Sequence, residues 1–299
     1  MRLTLRQLQI FEAVAHAGST TAGARDAALS QSAASAALAE LEHLIGARVF
    51  DRVGKRLVLN DDGRALLPMA RAALDSARAI EERFAQGSAP DRFELRLAAS
   101  TTVGNYVLPP LLADFRATAP HATFDVAIGN TADVVRLVAS FTADLGFIEG
   151  PCREPQLRVL PWIEDELVIV AAPAHALARA AQRGKLGVRT LREAPWLARE
   201  AGSGTREAVE HTLLPHLDTM RPTFTLGSSE AIKNAVARGL GIACLSRSVV
   251  ADLVAARRLV VLATTLPRLT RRYALVHHER KQLSSGLERF VAHCRTSAT

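Results

Sequence analysis

Cysteine is scarce in this chain, and lysine is scarce beside arginine. The three cysteines, Cys152, Cys244 and Cys294, lie far apart with no C-x-x-C pairing. An odd, dispersed set excludes a disulfide framework and a cysteine metal site, and it fits a reducing compartment; no metal and no cofactor are expected. Of the 37 basic residues only four are lysine, a bias consistent with genomic base composition. Also missing is any run of eighteen uncharged apolar residues, which excludes a membrane-spanning helix. Arg6 and Glu12 interrupt the apolar stripe near the N-terminus, so a signal peptide is not expected there and the cytoplasm is the expected location.

What the chain does contain is enough apolar material for real cores. Its 299 residues are 48% hydrophobic and 22% charged, which implies two or three folded, soluble domains. The net charge of +7 suggests an anionic partner. Its distribution is less informative: residues 1–60 carry seven basic against five acidic side chains, and residues 266–299 carry seven against two. Overall basicity therefore says little about nucleic acid, and a local cluster has to carry that argument.

Such a cluster follows a helical hairpin. Ser19 and Ser30 are placed to cap two helices within Gly18–Ile45, because a serine hydroxyl accepts from backbone N–H groups left unpaired at a helix start. In the second helix Ala34, Leu38, Leu41 and Ile45 recur on one face, turning Ser32, Ser35 and the Ala36/Ala39/Glu40 side outward, a face that is small and polar near the helix start. Short hydroxyl and amide groups suit a helix that enters the major groove and reads base edges. Leu5, Leu8, Phe11, Val14 and Ala15 predict an amphipathic helix before the hairpin, with Thr4 as its cap. Two short strands follow, around Val49-Phe50 and Leu57–Leu59, with Gly54-Lys55-Arg56 between them. Arg48, Arg52, Lys55 and Arg56, opposed only by Asp51, supply cations for phosphates on this wing.

These pieces, residues 5–24, 29–52 and 59–68, resemble the LysR family of bacterial transcriptional regulators, with Phe11, Gly18-Ser19, Ser30-Gln31-Ser32, Ser35, Leu41-Glu42, Gly46 and Phe50 in register. Members usually carry Arg or Lys just after the serine at 35; here Ala36 stands there, and Gly23 interrupts an alanine-rich helix. The resemblance implies binding of double-stranded promoter DNA, assembly into a dimer and then a homotetramer, contact with RNA polymerase, and no enzymatic activity. Gln31, Ser32, Ser35, Arg52, Lys55 and Arg56 are the expected DNA contacts.

Asn60, Asp61 and Asp62 predict the start of a long helix with acidic residues at its positive end. The stripe Leu66, Ala70, Ala73/Leu74, Ala77, Ile80, Phe84 is near-heptad and predicts a dimerisation helix over 63–86, with a later start or a bend at Pro68. Gln86–Pro90 breaks it. From Phe93 onward strand-like and helical runs alternate, predicting an α/β region with parallel strands.

The resemblance implies the full architecture: an α/β protein with an N-terminal winged helix-turn-helix (1–60), a linker helix (61–87) and a two-lobed, periplasmic-binding-protein-like effector domain (91–299). Lobe I would hold 91–163 and 266–299, lobe II 164–265, with crossings near Pro161–Glu166 and Thr264–Arg268. Ligands of open α/β sheets sit beyond the carboxyl ends of strands. The loops there place Ser100, Thr101, Thr102, Asn130, Thr131, Glu149, Ser203, Gly204, Thr205 and Ser228 as expected effector contacts. The stretches 100–112, 129–131 and 145–151 resemble the branch concerned with cysteine and sulfur-oxyanion metabolism, which implies a small, anionic effector. Glu149 would repel an anion unless paired, with Arg199 or Arg206, or protonated, leaving a neutral or amine-bearing sulfur metabolite as the alternative. A solute receptor would require export, and His121, His175, His211, His216 and His277-His278 make no catalytic constellation.

Overall fold

The computed structural model describes residues 3–54, 56–84 and 93–297. Three helices open the chain: α1 (Leu5–Ala17), α2 (Thr20–Asp26) and α3 (Gln31–Ile45). Thr4 and Gln7 cap α1 reciprocally, Ser19 accepts from the Ala22 N–H, and Ser30 accepts from the Ala33 N–H. Strands β1 (Phe50–Val53) and β2 (Arg56–Leu59) pair antiparallel as the wing. Leu8, Phe11, Val14, Ala34, Leu38, Leu41 and Phe50 form the shared core. Ile45, expected on this apolar face, is exposed, because α3 ends there and Gly46 turns the chain away. Gly23 serves packing: a Cβ on it would stand 2.7 Å from the Val14 backbone, so α1 and α2 approach this closely only through glycine.

Helix α4 (Asp61–Phe84) runs unbroken through Pro68, and Asn60 caps it by accepting from the Gly63 N–H. The expected later start is thus not observed; residues 85–87 of the predicted helix lie outside the described residues. Ala70 and Leu74 face the winged domain's own core. Met69, Ile80 and Phe84 stay exposed.

The remaining chain begins with β3 (Glu94–Ser100), a π-helical turn at Val103–Val107, α5 (Leu108–Thr118), β4 (Thr123–Gly129), α6 (Thr131–Ala139) and β5 (Leu145–Glu149). A long strand β6 (Leu157–Ala171) leads to α7 (Ala176–Arg183), α8 (Val188–Arg192), β7 (Trp196–Arg199), α9 (Gly204–Leu217), β8 (Pro222–Leu226) and α10 (Ser229–Ala237). Then come β9 (Ala243–Ser246), α11 (Arg247–Ala255), β10 (Val260–Val261), β11 (Leu269–His278) and α12 (Ser285–Thr296). Strands β4, β3 and β5 are parallel, as the alternation predicts, and so are β7 and β8. The crossing strands differ: β6 and β11 pair antiparallel with each other, and β11 pairs antiparallel with β5.

Two groups of cores mark the lobes. One packs β3, β5, α5 and α12 around Phe115, Phe147 and Phe290, with α6 on the other face of the sheet. The other packs β6, β7, β9, α9, α10 and α11 around Trp196, Leu213, Ile232 and Leu245. Strands β6 and β11 run through both, and Leu266 and Leu269 pack in the second group. Pro161, inside β6, lies where only β11 flanks that strand, so its missing N–H interrupts no ladder on the open side.

Candidate functional site

The carboxyl ends of β3, β4 and β5 and the starts of α6, α9 and α10 meet between the lobes. Glu149, at the end of β5, is 1% exposed and sits at the centre. The Thr102 N–H donates to its Oε1 at 3.0 Å, and from the second lobe the Thr205 hydroxyl donates to Oε2 at 2.5 Å. Arg271 of β11 places Nη1 2.5 Å from the same Oε2 and 3.0 Å from Thr205 Oγ1. Its Nε donates to Asp165 at 2.7 Å and its Nη2 to Tyr273 at 3.2 Å. Ser246 completes this lattice by donating to Asp165. Burial opposes ionisation of Glu149, but Arg271 and the hydrogen-bond donors outweigh it and hold the carboxyl below its ordinary pKa. Arg271 is held firmly protonated by Glu149 and Asp165 despite its burial.

Neither Arg199 nor Arg206 therefore pairs with Glu149. Arg206 pairs with Glu210 at 2.8 Å. Arg199, 2% exposed at the end of β7, forks onto Glu200 and donates to Ser229 at 2.8 Å and, across the cleft, to Thr101 at 3.0 Å. A second bridge runs from Asn130 Nδ2 to Glu200, and a third from the Ala132 N–H to the Gly202 carbonyl at 3.1 Å.

The other expected contacts divide by role. Ser203 is buried and caps α9, Asn130 caps α6 with Asp133, and Thr131 donates to the Glu149 carbonyl at 3.2 Å. Ser228 caps α10 from a half-exposed position, and its neighbour Ser229 is the one that meets Arg199. Gly204 lets α9 reach the first lobe: a Cβ there would lie 1.7 Å from the Glu149 carbonyl oxygen. Ser100 and Thr102 are each 1% exposed, and their hydroxyls, which lie beside the Glu149 carboxylate and help to lower its pKa, make no well-formed hydrogen bond among the described residues. Buried hydroxyls are rarely left so, and this pair is the cleft's unmet polar capacity. Arg271 escaped the sequence reading, although its signal was present: an arginine standing in the apolar alternation Leu269, Tyr273, Leu275.

On the winged domain, Gln31 donates to Ser35 at 2.9 Å along the exposed start of α3, and Ser32 pairs with Ser30. Gln31 shares a groove of about 370 Å³ with Arg52, Gly54 and the Ser19–Thr21 stretch, of which the sequence pointed only to Ser19, as a helix cap. Arg48, Arg52 and Arg56 are exposed and have no acidic partner among the described residues, as phosphate contacts require. Lys55 lies outside the described residues.

Residues 5–64 match the family described as the bacterial regulatory helix-turn-helix protein, lysR family, and residues 88–299 match the LysR substrate binding domain. The chain belongs to the LysR family. It is thus a DNA-binding regulator with an effector domain, not an enzyme. Among curated LysR relatives it is 48% identical to the HTH-type transcriptional regulator YeiE of Escherichia coli strain K12, over 98% of each chain. Among solved structures, a full-length OxyR variant from Pseudomonas aeruginosa matches with a TM-score of 0.80 at 22% identity, over 100% of this chain and 95% of that one. The regulatory domain of Synechocystis PCC6803 CcmR, in complex with 2-PG, matches with a TM-score of 0.61 at 29% identity, over 69% of this chain and 97% of that one. Among the described residues no helix is long and apolar enough to cross a membrane.

Proposed function

We propose that this regulator acts in the cytoplasm and that its hold on promoter DNA is set by a small oxyanion or sulfur metabolite bound between the lobes. One observation carries the reading: Ser100 and Thr102 present buried hydroxyls that make no well-formed hydrogen bond among the described residues, beside the Glu149 carboxylate, where loops and helix starts of both lobes converge. CcmR, which was solved with 2-PG, supports an anion in a domain of this kind. The Thr102 amide and the Thr205 hydroxyl already serve Glu149, so the Ser100 and Thr102 hydroxyls, which lie beside the same carboxylate, are the donors left for the anion. Pairing with Arg271 removes much of Glu149's repulsion, which had favoured a neutral ligand. Arg271 is shared with Asp165, however, and the lattice keeps one negative charge in excess. A singly charged oxyanion therefore binds more tightly than a dianion of similar shape.

The outward apolar residues of α4, Met69, Ile80 and Phe84, are the proposed dimer seam, and two such dimers make the proposed tetramer. Gln31, Ser32 and Ser35 are proposed to read bases, with Arg52, Lys55 and Arg56 on phosphates. Calorimetric titration of the full chain with sulfite and with sulfate tests the effector assignment. Saturable heat is expected, weakened at least tenfold in Ser100→Ala/Thr102→Ala; oxyanion binding that survives the double substitution places the ligand elsewhere.

A further inference from the structure

Helix α4 has a third face, turned toward neither the winged core nor the proposed dimer seam. Arg71 lies on it. Its Nε donates to Glu12 of α1 at 2.9 Å, and its Nη1 reaches Thr142 Oγ1 at 2.6 Å and the Ser140 carbonyl at 3.3 Å, just after α6. One side chain thus ties the first helix of the winged domain to the first lobe.

Asp75 follows one turn later on the same face. Its carboxylate accepts from Arg96 of β3 at 2.9 Å and from Lys281, beyond β11, at 2.7 Å. The same two cations hold Asp144 at 2.6 and 2.7 Å. Within the effector domain this socket has two positive charges and one negative, and the single charge of Asp75 fills the deficit. Asp75, Asp144 and Lys281 are almost fully buried, so water and salt screen the contact poorly. Withdrawing one partner leaves a buried charge unpaired.

We infer that Arg71 and Asp75 are positioning residues that seat the winged domain on lobe I, so that the effector domain, and not α4 alone, sets where each recognition helix points. Neither residue touches DNA in this role; both act through α4. In a dimer the consequence is discrimination between half-site spacings, because two seated winged domains present α3 at one fixed separation. The inference is independent of which effector the cleft takes.

Pulsed electron resonance on the full chain tests it. Spin labels go on cysteines introduced at the exposed positions Thr21 and Arg116, in a Cys152→Ser background that leaves only the buried Cys244 and Cys294, diluted with unlabelled chain. A second label pair at Arg116 and Arg136 reports the first lobe by itself. One narrow Thr21–Arg116 distance is expected for the parent and for Asp75→Glu. In Arg71→Gln/Asp75→Asn that distribution broadens severalfold while the Arg116–Arg136 distance is unchanged. On a site selected from random DNA, the parent loses about tenfold in affinity when two base pairs are inserted between half-sites, and the double variant less than threefold. A narrow Thr21–Arg116 distance in the double variant, or undiminished spacing discrimination, overturns the inference.

Discussion

Replacing Gly204 by alanine tests how the cleft closes. The added Cβ would stand 1.7 Å from the Glu149 carbonyl oxygen and 2.4 Å from Thr131 Oγ1, where real Cβ contacts stay beyond 3.0 Å. Backbone on both sides makes the clash hard to absorb, so the lobes must part by more than an ångström. Parting breaks the hydrogen bond from Thr205 to Glu149, from Arg199 to Thr101 and from Ala132 to Gly202. A bond involving an ionised group contributes about 1.5–3 kcal/mol and a neutral one about 1, for a bias of roughly 4–7 kcal/mol toward the open cleft. That shifts the open-to-closed ratio by about a thousandfold or more. Amide hydrogen exchange reads it directly. The Ala132 N–H is protected by the opposite lobe's Gly202, whereas the Thr102 N–H is held by Glu149 of its own lobe. Exchange at Ala132 should accelerate about a thousandfold or more in Gly204→Ala while Thr102 stays protected. Unchanged exchange at Ala132 would refute the closure argument.

Acidification probes Glu149 itself. Its pKa is depressed in the folded chain, so the stability it contributes is full above the unfolded value of about 4.3 and is lost as pH falls through the folded value. Denaturant midpoints of the parent should therefore fall more steeply with acid than those of Glu149→Gln, by at most about 1.4 kcal/mol per pH unit; equal slopes would mean that Glu149 is not held ionised. Ile80→Glu should dissociate the dimer in light scattering, because Ile80 is exposed within the chain. Leu74→Glu should instead unfold the winged core, where Leu74 is buried, and thermal melting separates the two effects. Arg52→Ala should weaken binding to all DNA sequences alike and lower the salt slope by about one, whereas Gln31→Ala should cost roughly 1–3 kcal/mol on the preferred site only. Fluorescence anisotropy on specific and random duplexes distinguishes them.

The winged domain was legible in the sequence because its signals are local: serine caps at Ser19 and Ser30, an apolar stripe, and a wing of unopposed arginines. The effector strands were legible for the same reason, apart from the first half of β6 and the short β10. Pro161 lies inside that half of β6, where the open flank of the sheet makes a proline harmless. Helix α4 shows what periodicity leaves unsaid. Its stripe contains residues for two destinations, Ala70 and Leu74 for the chain's own core and Ile80 and Phe84 for solvent, and spacing gives both the same phase. The sequence reading put the cleft at the strand ends, but the electrostatics of Glu149 depend on a partner 122 positions away. No local pattern joins Glu149 to Arg271; the antiparallel pairing of β5 with β11 does.

The most direct measurement of the central claim is DNA affinity as a function of anion concentration, using the promoter fragment upstream of the protein's own gene, at constant ionic strength. A regulator whose cleft reads an oxyanion should shift its affinity severalfold as sulfite or sulfate is added, with chloride as the control. In Ser100→Ala/Thr102→Ala the starting affinity should remain and the shift should disappear. Promoter affinity that ignores every oxyanion, or a shift that persists in the double variant, would contradict the account.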